Sequence, residues 1–285
     1  MIVNSYATLA DFKNFISVRG QSTNMSTDTV DDAQISEILE GTSRYIDTLT
    51  RRTFYPRCET RYFSVPQNQG NLRTLYLDDD LLSVVSVTNG DGVAVTEYNL
   101  LPKNYNSKWG IQIYSAASSF WTPSNTLGGE YVIAVTGWWG FHNQFTQRGW
   151  SALDTLAVAD TTATGLTFTV TTGTTLLSNQ IIKIDNEIMN VASSTSSPTK
   201  TVTVNQRGDN GSTAATHLIN APIYVWNTQT EIRDACKQIS QSVYWARSGQ
   251  VANGKITVTE GGVIIRAEDV SPISQQTIKA FMRPL

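Results

Sequence analysis

Imidazoles and thiols are scarce in this sequence: His142, His217, Cys58 and Cys236 are the only ones among 285 residues. None of the four stands at the short spacing of a zinc ligand set, and neither His-Glu-x-x-His nor Cys-x-x-Cys occurs. The sequence therefore carries no zinc-site or dithiol motif. Two cysteines so far apart, with no disulfide framework around them, read as reduced core thiols rather than a bridge. Also missing are a Gly-x-Ser-x-Gly elbow and a glycine-rich phosphate loop ahead of a helix. The expectation is a protein that is not an enzyme and takes no metal or cofactor.

Charge is sparse as well. Asp, Glu, Lys and Arg make up 16% of the chain, against a usual ~25%, so Ser, Thr, Asn and Gln must supply much of the polar surface. Such a surface suits stable packing against neighbours. The net charge of −3 excludes the broad basic face by which a protein grips nucleic acid through its phosphates. A slightly acidic wall would let DNA slide past. No stretch approaches the ~18 apolar residues of a membrane span, and Met1-Ile-Val-Asn-Ser-Tyr6 is not a basic start followed by an apolar run. These features predict no membrane partner and residence in the cytoplasm, or in something assembled there.

What the sequence does contain is helical at both ends and strand-rich between. Thr8-x-x-Asp11 is a capping box, and Leu9, Phe12, Phe15 and Ile16 then share one helix face. A second helix opens between Thr29 and Asp32 with an acidic first turn, carries Ile35, Ile38, Leu39, Thr42, Ile46 and Leu49 at helical spacing, and ends on Arg51-Arg52. Period two takes over from Thr60 to Phe141, with strands at 61–65, 74–77, 83–88, 93–95, 110–114 and 131–136. Asn89-Gly-Asp-Gly92 is the strongest turn among them. After Trp150 the composition shifts to Thr-rich, nearly uncharged short strands at 166–170, 180–185, 187–191, 201–204 and 223–226, with turns at Asp185-Asn186 and Arg207-Gly-Asp-Asn-Gly211. Thr228-x-x-Glu231 then caps a third helix, whose face of Ile232, Ala235, Cys236, Ile239, Val243 and Ala246 should pack on the helix at 31–52 before Gly249 stops it.

The expected fold class is therefore α+β. A helical bundle core, made of the N-terminal helices and a C-terminal helix, would carry a β-rich elaboration and an inserted small all-β domain. The expected division is 1–150 (helices, then the β-rich segment), 151–226 (the inserted all-β domain), 227–250 (the helix completing the first domain) and 251–285 (a hairpin and a C-terminal arm). Ile273, Ile278, Phe281 and Met282 in that arm are too few for a domain, and lying on another chain would bury them.

Several side-chain groups carry two readings each. Arg51 and Arg52 complement the negative pole of their helix, or else make a subunit contact or face a lumen. Asp78-Asp79-Asp80 is a solvated turn or a hard-cation site. Asp185 and Glu187, two apart, are turn residues or an acid pair. Trp138, Trp139, Phe141, Phe145 and Trp150 form core or interface, or stack on sugar rings.

Read in order, Leu9-Ala-Asp-Phe-Lys13, Asp31-Asp32, Ile46-Asp47-x-x-Thr50-Arg-Arg-x-Phe54, Leu77 to Gly92, Tyr98-Asn-Leu-Leu-Pro102, Val135-Thr-Gly-Trp-Trp-Gly-Phe141 and Ile278-Lys-Ala-Phe-Met-Arg-Pro284 resemble the head-to-tail connector, or adaptor, proteins of tailed bacteriophages. Ile184-Asp-Asn-Glu-Ile-Met189 with Arg207-Gly-Asp-Asn-Gly-Ser-Thr-Ala-Ala215 is similar to a small β module of phage structural proteins, and is a departure from the shortest connectors. The resemblance implies a homo-oligomeric, usually dodecameric, ring in the virion neck, assembled in the host cytoplasm. It would be seated on the portal protein, with the next tail or neck protein docked below and a tail fibre as a further partner of the module. Genome DNA would pass through the lumen without sequence-specific binding. It further implies that Ile273, Ile278, Phe281, Met282 and Arg283 form the portal-binding arm, many weak arms acting together, and makes Arg51, Arg52, Trp138 and Trp139 candidates for subunit or lumen contacts. A carbohydrate-binding tail or fibre module is the alternative, and a hydrolase a distant third.

Overall fold

The computed structural model describes residues 4–18, 29–67, 72–247, 257–259, 262–264 and 271–283. Among these residues its secondary structure is mostly β: antiparallel sheets of five and six strands, a short hairpin, and four α-helices. This overturns the expected helical-bundle core. The helices do pack together, but each large sheet buries an apolar core of its own, so the strands are not an elaboration on a bundle. Capped 3.6-period stripes read strongly in sequence, and short strands carry less signal per residue for the same burial.

The chain divides into two compact units, residues 1–54, 151–209 and 213–285 in the first and 55–150 with 210–212 in the second. In the first unit, α1 (Leu9–Val18) begins at the expected capping box: Thr8 N donates to Asp11 Oδ2 at 3.1 Å and Asp11 N to Thr8 Oγ1 at 3.0 Å. Helix α2 (Asp32–Thr50) has Asp31 at its N-cap, yet the Asp31 carboxylate accepts from Tyr244 Oη at 2.7 Å instead of capping the backbone. It ends at Arg51 in the left-handed conformation, φ 54°. Helix α3 (Thr230–Arg247) starts one residue later than the Thr228 box implies, and Gly249 lies outside the described residues. As expected, α3 packs on α2: Ser43 Oγ and Cys236 Sγ meet at 3.6 Å, both fully buried. Ile35, Ile38, Leu39, Ile46, Ile232 and Ile239 are at most 3% exposed, each contributing ~1.5–3 kcal/mol by leaving water.

The C-terminal segment is helical too. Ser271 Oγ accepts from Ser274 N at 3.2 Å and Pro272 opens the first turn of α4 (Pro272–Phe281), the arrangement that favours Ser at N-cap and Pro at N1.

The second unit holds β1 (Arg57–Phe63), β2 (Thr74–Thr88), β3 (Tyr98–Leu101), β4 (Lys108–Ile113) and β5 (Ile133–Trp139) in the order β1-β5-β2-β4-β3. Strand β5 alternates cleanly, Ile133, Val135, Gly137 and Trp139 inward. Gly137 is required by the neighbouring strand, because a Cβ there would sit 2.5 Å from the Ser83 carbonyl oxygen. The turn at Asn89–Gly92 forms as expected, with Gly92 at φ 82° and its N–H on Asn89 O at 2.9 Å.

Back in the first unit, β6 (Trp150–Thr155), β7 (Thr167–Thr169), β8 (Ile181–Ile184), β9 (Glu187–Thr195), β10 (Thr201–Val204) and β11 (Pro222–Trp226) form a sheet in the order β6-β11-β8-β9-β10-β7. Threonine hydroxyls replace charges on its surface: Thr155 with Thr171, Thr167 with Thr203 and Thr195 with Thr201 bond at 2.9, 3.1 and 2.8 Å. The last two strands, β12 (Thr257–Thr259) and β13 (Gly262–Ile264), pair antiparallel, and the turn between them lies outside the described residues.

Candidate functional site

One gathering of ionisable side chains is built on the β8–β9 hairpin. Ile184 pairs with Glu187, so Asp185 and Asn186 are the two loop residues, and Asp185 adopts φ 50°. The turn reading holds for Asp185 and not for Glu187, which opens β9. What sequence reasoning missed is that both carboxylates reach one imidazole: His217 Nδ1 lies 2.8 Å from Asp185 Oδ2 and Nε2 lies 3.0 Å from Glu187 Oε2. Arg207 closes the cluster, its Nε and Nη2 on the two Glu187 oxygens at 2.7 and 2.8 Å and its Nη1 on Asp160 Oδ2 at 2.8 Å. The one available signal was His217 following the Arg207–Ala215 segment by two residues. Asp160 lies too far off in sequence to announce itself.

Glu187 has no room for further chemistry. Its side chain is wholly buried and accepts from Gly208 N and Ala215 N, both at 2.9 Å, besides Arg207 and His217. Burial alone would raise its pKa, but the Arg207 fork and the two backbone N–H groups outweigh that and hold it below the usual carboxylate range. The same bidentate bond raises the pKa of Arg207. The cluster therefore works as a clamp, fixing the segment after Arg207 onto the hairpin.

The Asp78-Asp79-Asp80 run is neither a solvated turn nor a cation site. It lies within β2, where Asp79 accepts from Arg57 at 2.6 Å and Arg61 at 3.0 Å, and Asp78 from Arg61 at 2.9 Å. Consecutive acids in an extended strand were met by arginines on β1, a pairing that leaves no local trace in sequence. Among the described residues, no three His, Cys, Asp or Glu side chains are grouped to hold a metal ion.

Of the proposed contact residues, Trp139 is fully buried, stacks on Phe63 at 6.2 Å and donates its Nε1–H to Glu59 O at 3.0 Å. Trp138 is half-buried on the opposite face. Phe141, Phe145 and Trp150 are half-buried as well, so none of the five aromatics lies open on the surface. Arg51 is exposed and Arg52 half-buried. The chain's end comes to them: Arg283 N donates to Thr50 O at 2.9 Å, and the Phe281 ring meets Phe54 edge-on at 5.9 Å. Ile278 is buried at 4% exposure, whereas Ile273 and Met282 are 70% and 46% exposed. Thus α4 uses one side on its own chain and shows the other.

No match to this chain is found among family models, characterised proteins or solved structures. Among the described residues no helix is long and apolar enough to cross a membrane. Both cysteines are free, and burial pushes the Cys236 thiol up to about 11, which leaves it inert at neutral pH.

Proposed function

We propose that this chain is a structural protein of a tailed-phage neck: an adaptor that repeats around a DNA channel, with the portal protein on one side and the next tail or neck component on the other. The order of motifs resembling connectors motivates the reading. The observation that carries it is α4, anchored by Ile278 and Phe281 on its own chain while Ile273 and Met282 stay open to a partner. A portal-binding arm needs that division, a fixed root and apolar side chains left open at either end of the helix. The ring order, taken as twelve, rests on the resemblance alone.

The test is paired substitution, Ile273→Asp with Met282→Asp. Both side chains are already in water, so the purified variant should melt within a few degrees of the parent and yet fail to join portal-bearing heads in an in vitro assembly assay. Undiminished joining by a folded double variant would remove α4 from the mechanism.

A carbohydrate-binding tail or fibre module is the second reading. Tyr76 and Trp109 favour it: both are exposed, and their rings stack at 5.6 Å and 5°, a parallel aromatic pair of the kind that packs against a sugar ring. Saturable glycan-array binding lost in Trp109→Ala would favour this reading over the adaptor.

A further inference from the structure

We infer that a small polar cleft in the first unit, at the start of α3, binds a carboxylate, with Arg233 as the cation that receives it. This inference does not depend on the adaptor reading. The cleft has a volume of about 80 Å³ and is walled by residues near the start of α1, by Asn179 and Gln180 ahead of β8, and by Trp226, Thr228 and Arg233. That is the space of a few water molecules, enough for a carboxylate head and too little for a sugar or a nucleotide.

Arg233 stands out by what it lacks. Among the described residues its guanidinium makes no ion pair, and its buried Nε has no acceptor. A buried guanidinium N–H without an acceptor, on a residue that lines the cleft, is costly unless something else completes it.

The rest of the wall decides which charge that something carries. Gln180 Oε1 already accepts from Leu177 N at 2.8 Å, so its NH2 is what it has left to offer. Thr228 adds a hydroxyl. The one acid, Asp11, has its Oδ2 committed to the Thr8 N–H at the α1 cap and forms no ion pair with Arg233. The Ser5 hydroxyl and the Asn227 amide N–H are spent on Ala7 O and Ser151 Oγ, so the wall offers the Gln180 amide and the Thr228 hydroxyl beside one guanidinium without an ion pair, whose two parallel N–H groups match the two oxygens of a carboxylate. The carboxylate comes either from a free small acid or from an Asp or Glu side chain of another copy of this chain.

Two measurements on the full-length protein test this. Titration with acetate, against sodium chloride at equal ionic strength, should give a saturable shift of the Arg233 Nε–H resonance in the millimolar range, absent in Arg233→Gln, if a free acid is the ligand. If a second copy supplies it, sedimentation should show self-association of the parent weakened about tenfold or more in Arg233→Gln and antagonised by acetate. Arg233→Lys should recover little of either effect, since it keeps the charge and loses the fork. A far-UV melting curve confirms that each variant is folded. No saturable acetate shift together with unchanged self-association in Arg233→Gln overturns the inference.

Discussion

Glu187 is held on every side, and the reason is electrostatic saturation. A buried carboxylate without partners would be neutral, but here a guanidinium fork, an imidazole and two backbone N–H groups meet one side chain. Replacing it with Gln leaves Arg207 buried with one donor facing another, and breaking such a pair costs about 3–5 kcal/mol. Hydrogen exchange at the Gly208 and Ala215 amides should accelerate accordingly in Glu187→Gln. The pH dependence has a definite sign. The folded pKa of Glu187 lies below its unfolded value, so its contribution is complete above the unfolded value of ~4.3 and disappears as pH falls through the folded one. The parent should therefore lose module stability on acidification below about pH 4, while Glu187→Gln, already weakened, shows a flatter acid limb. Equal acid limbs in denaturant titrations would contradict this account of the clamp. A smaller effect belongs to Tyr244→Phe, which removes the bond to Asp31 and should lower helical-cluster stability by about 1 kcal/mol.

At the scale of elements, legibility followed locality. The Thr8–Asp11 box, the Asn89–Gly92 turn and the Asp185-Asn186 hairpin loop each depend on residues within a few positions, and each forms as the sequence implies. Helix α4 carried an equally local signal, Ser271 before Pro272, and was overlooked because four apolar residues seemed too few to bury; Ile278 needed only the groove of its own chain. Ile278→Ala should cost about 2–5 kcal/mol, read as earlier proteolytic release of the C-terminal segment. The Thr-Gly-Trp-Trp-Gly motif separates fold from contact within a single strand. Trp139 and Gly137 serve the sheet, since Trp139 is buried and a Cβ at 137 would meet the Ser83 backbone. Gly137→Ala should destabilise the second unit by about 1–3 kcal/mol, towards the upper end because the obstacle is main chain. Trp138→Ala, on the half-buried face, should cost less stability than truncating the buried Trp139, and a loss of assembly by the folded variant would mark a subunit contact.

At the scale of the whole molecule, the hidden information is pairing between distant segments. The order β1-β5-β2-β4-β3 joins Arg57 to Trp139 and Phe63 to Ile133, and nothing near either residue records that. The same holds for Arg61 with Asp78 and for Arg207 with Asp160, which is why the ionic clusters were invisible and the helices looked dominant. One whole-chain property was legible from composition: few charges and many neutral polar residues. The structure adds that Tyr62, Tyr105, Leu127 and Tyr131 are each more than half exposed, on a chain with 16% charged residues. If the chain assembles as proposed, burial of such apolar side chains drives association more than ion pairing does. Raising salt from ~0.1 M to ~1 M shrinks the Debye length from ~10 Å to ~3 Å and should leave the ring intact, while cooling should loosen it because apolar association weakens in the cold. Sedimentation velocity across both variables reads the outcome. A ring that falls apart in high salt and tightens on cooling would mean that the few charges, Arg51 and Arg52 foremost, hold the subunits together instead.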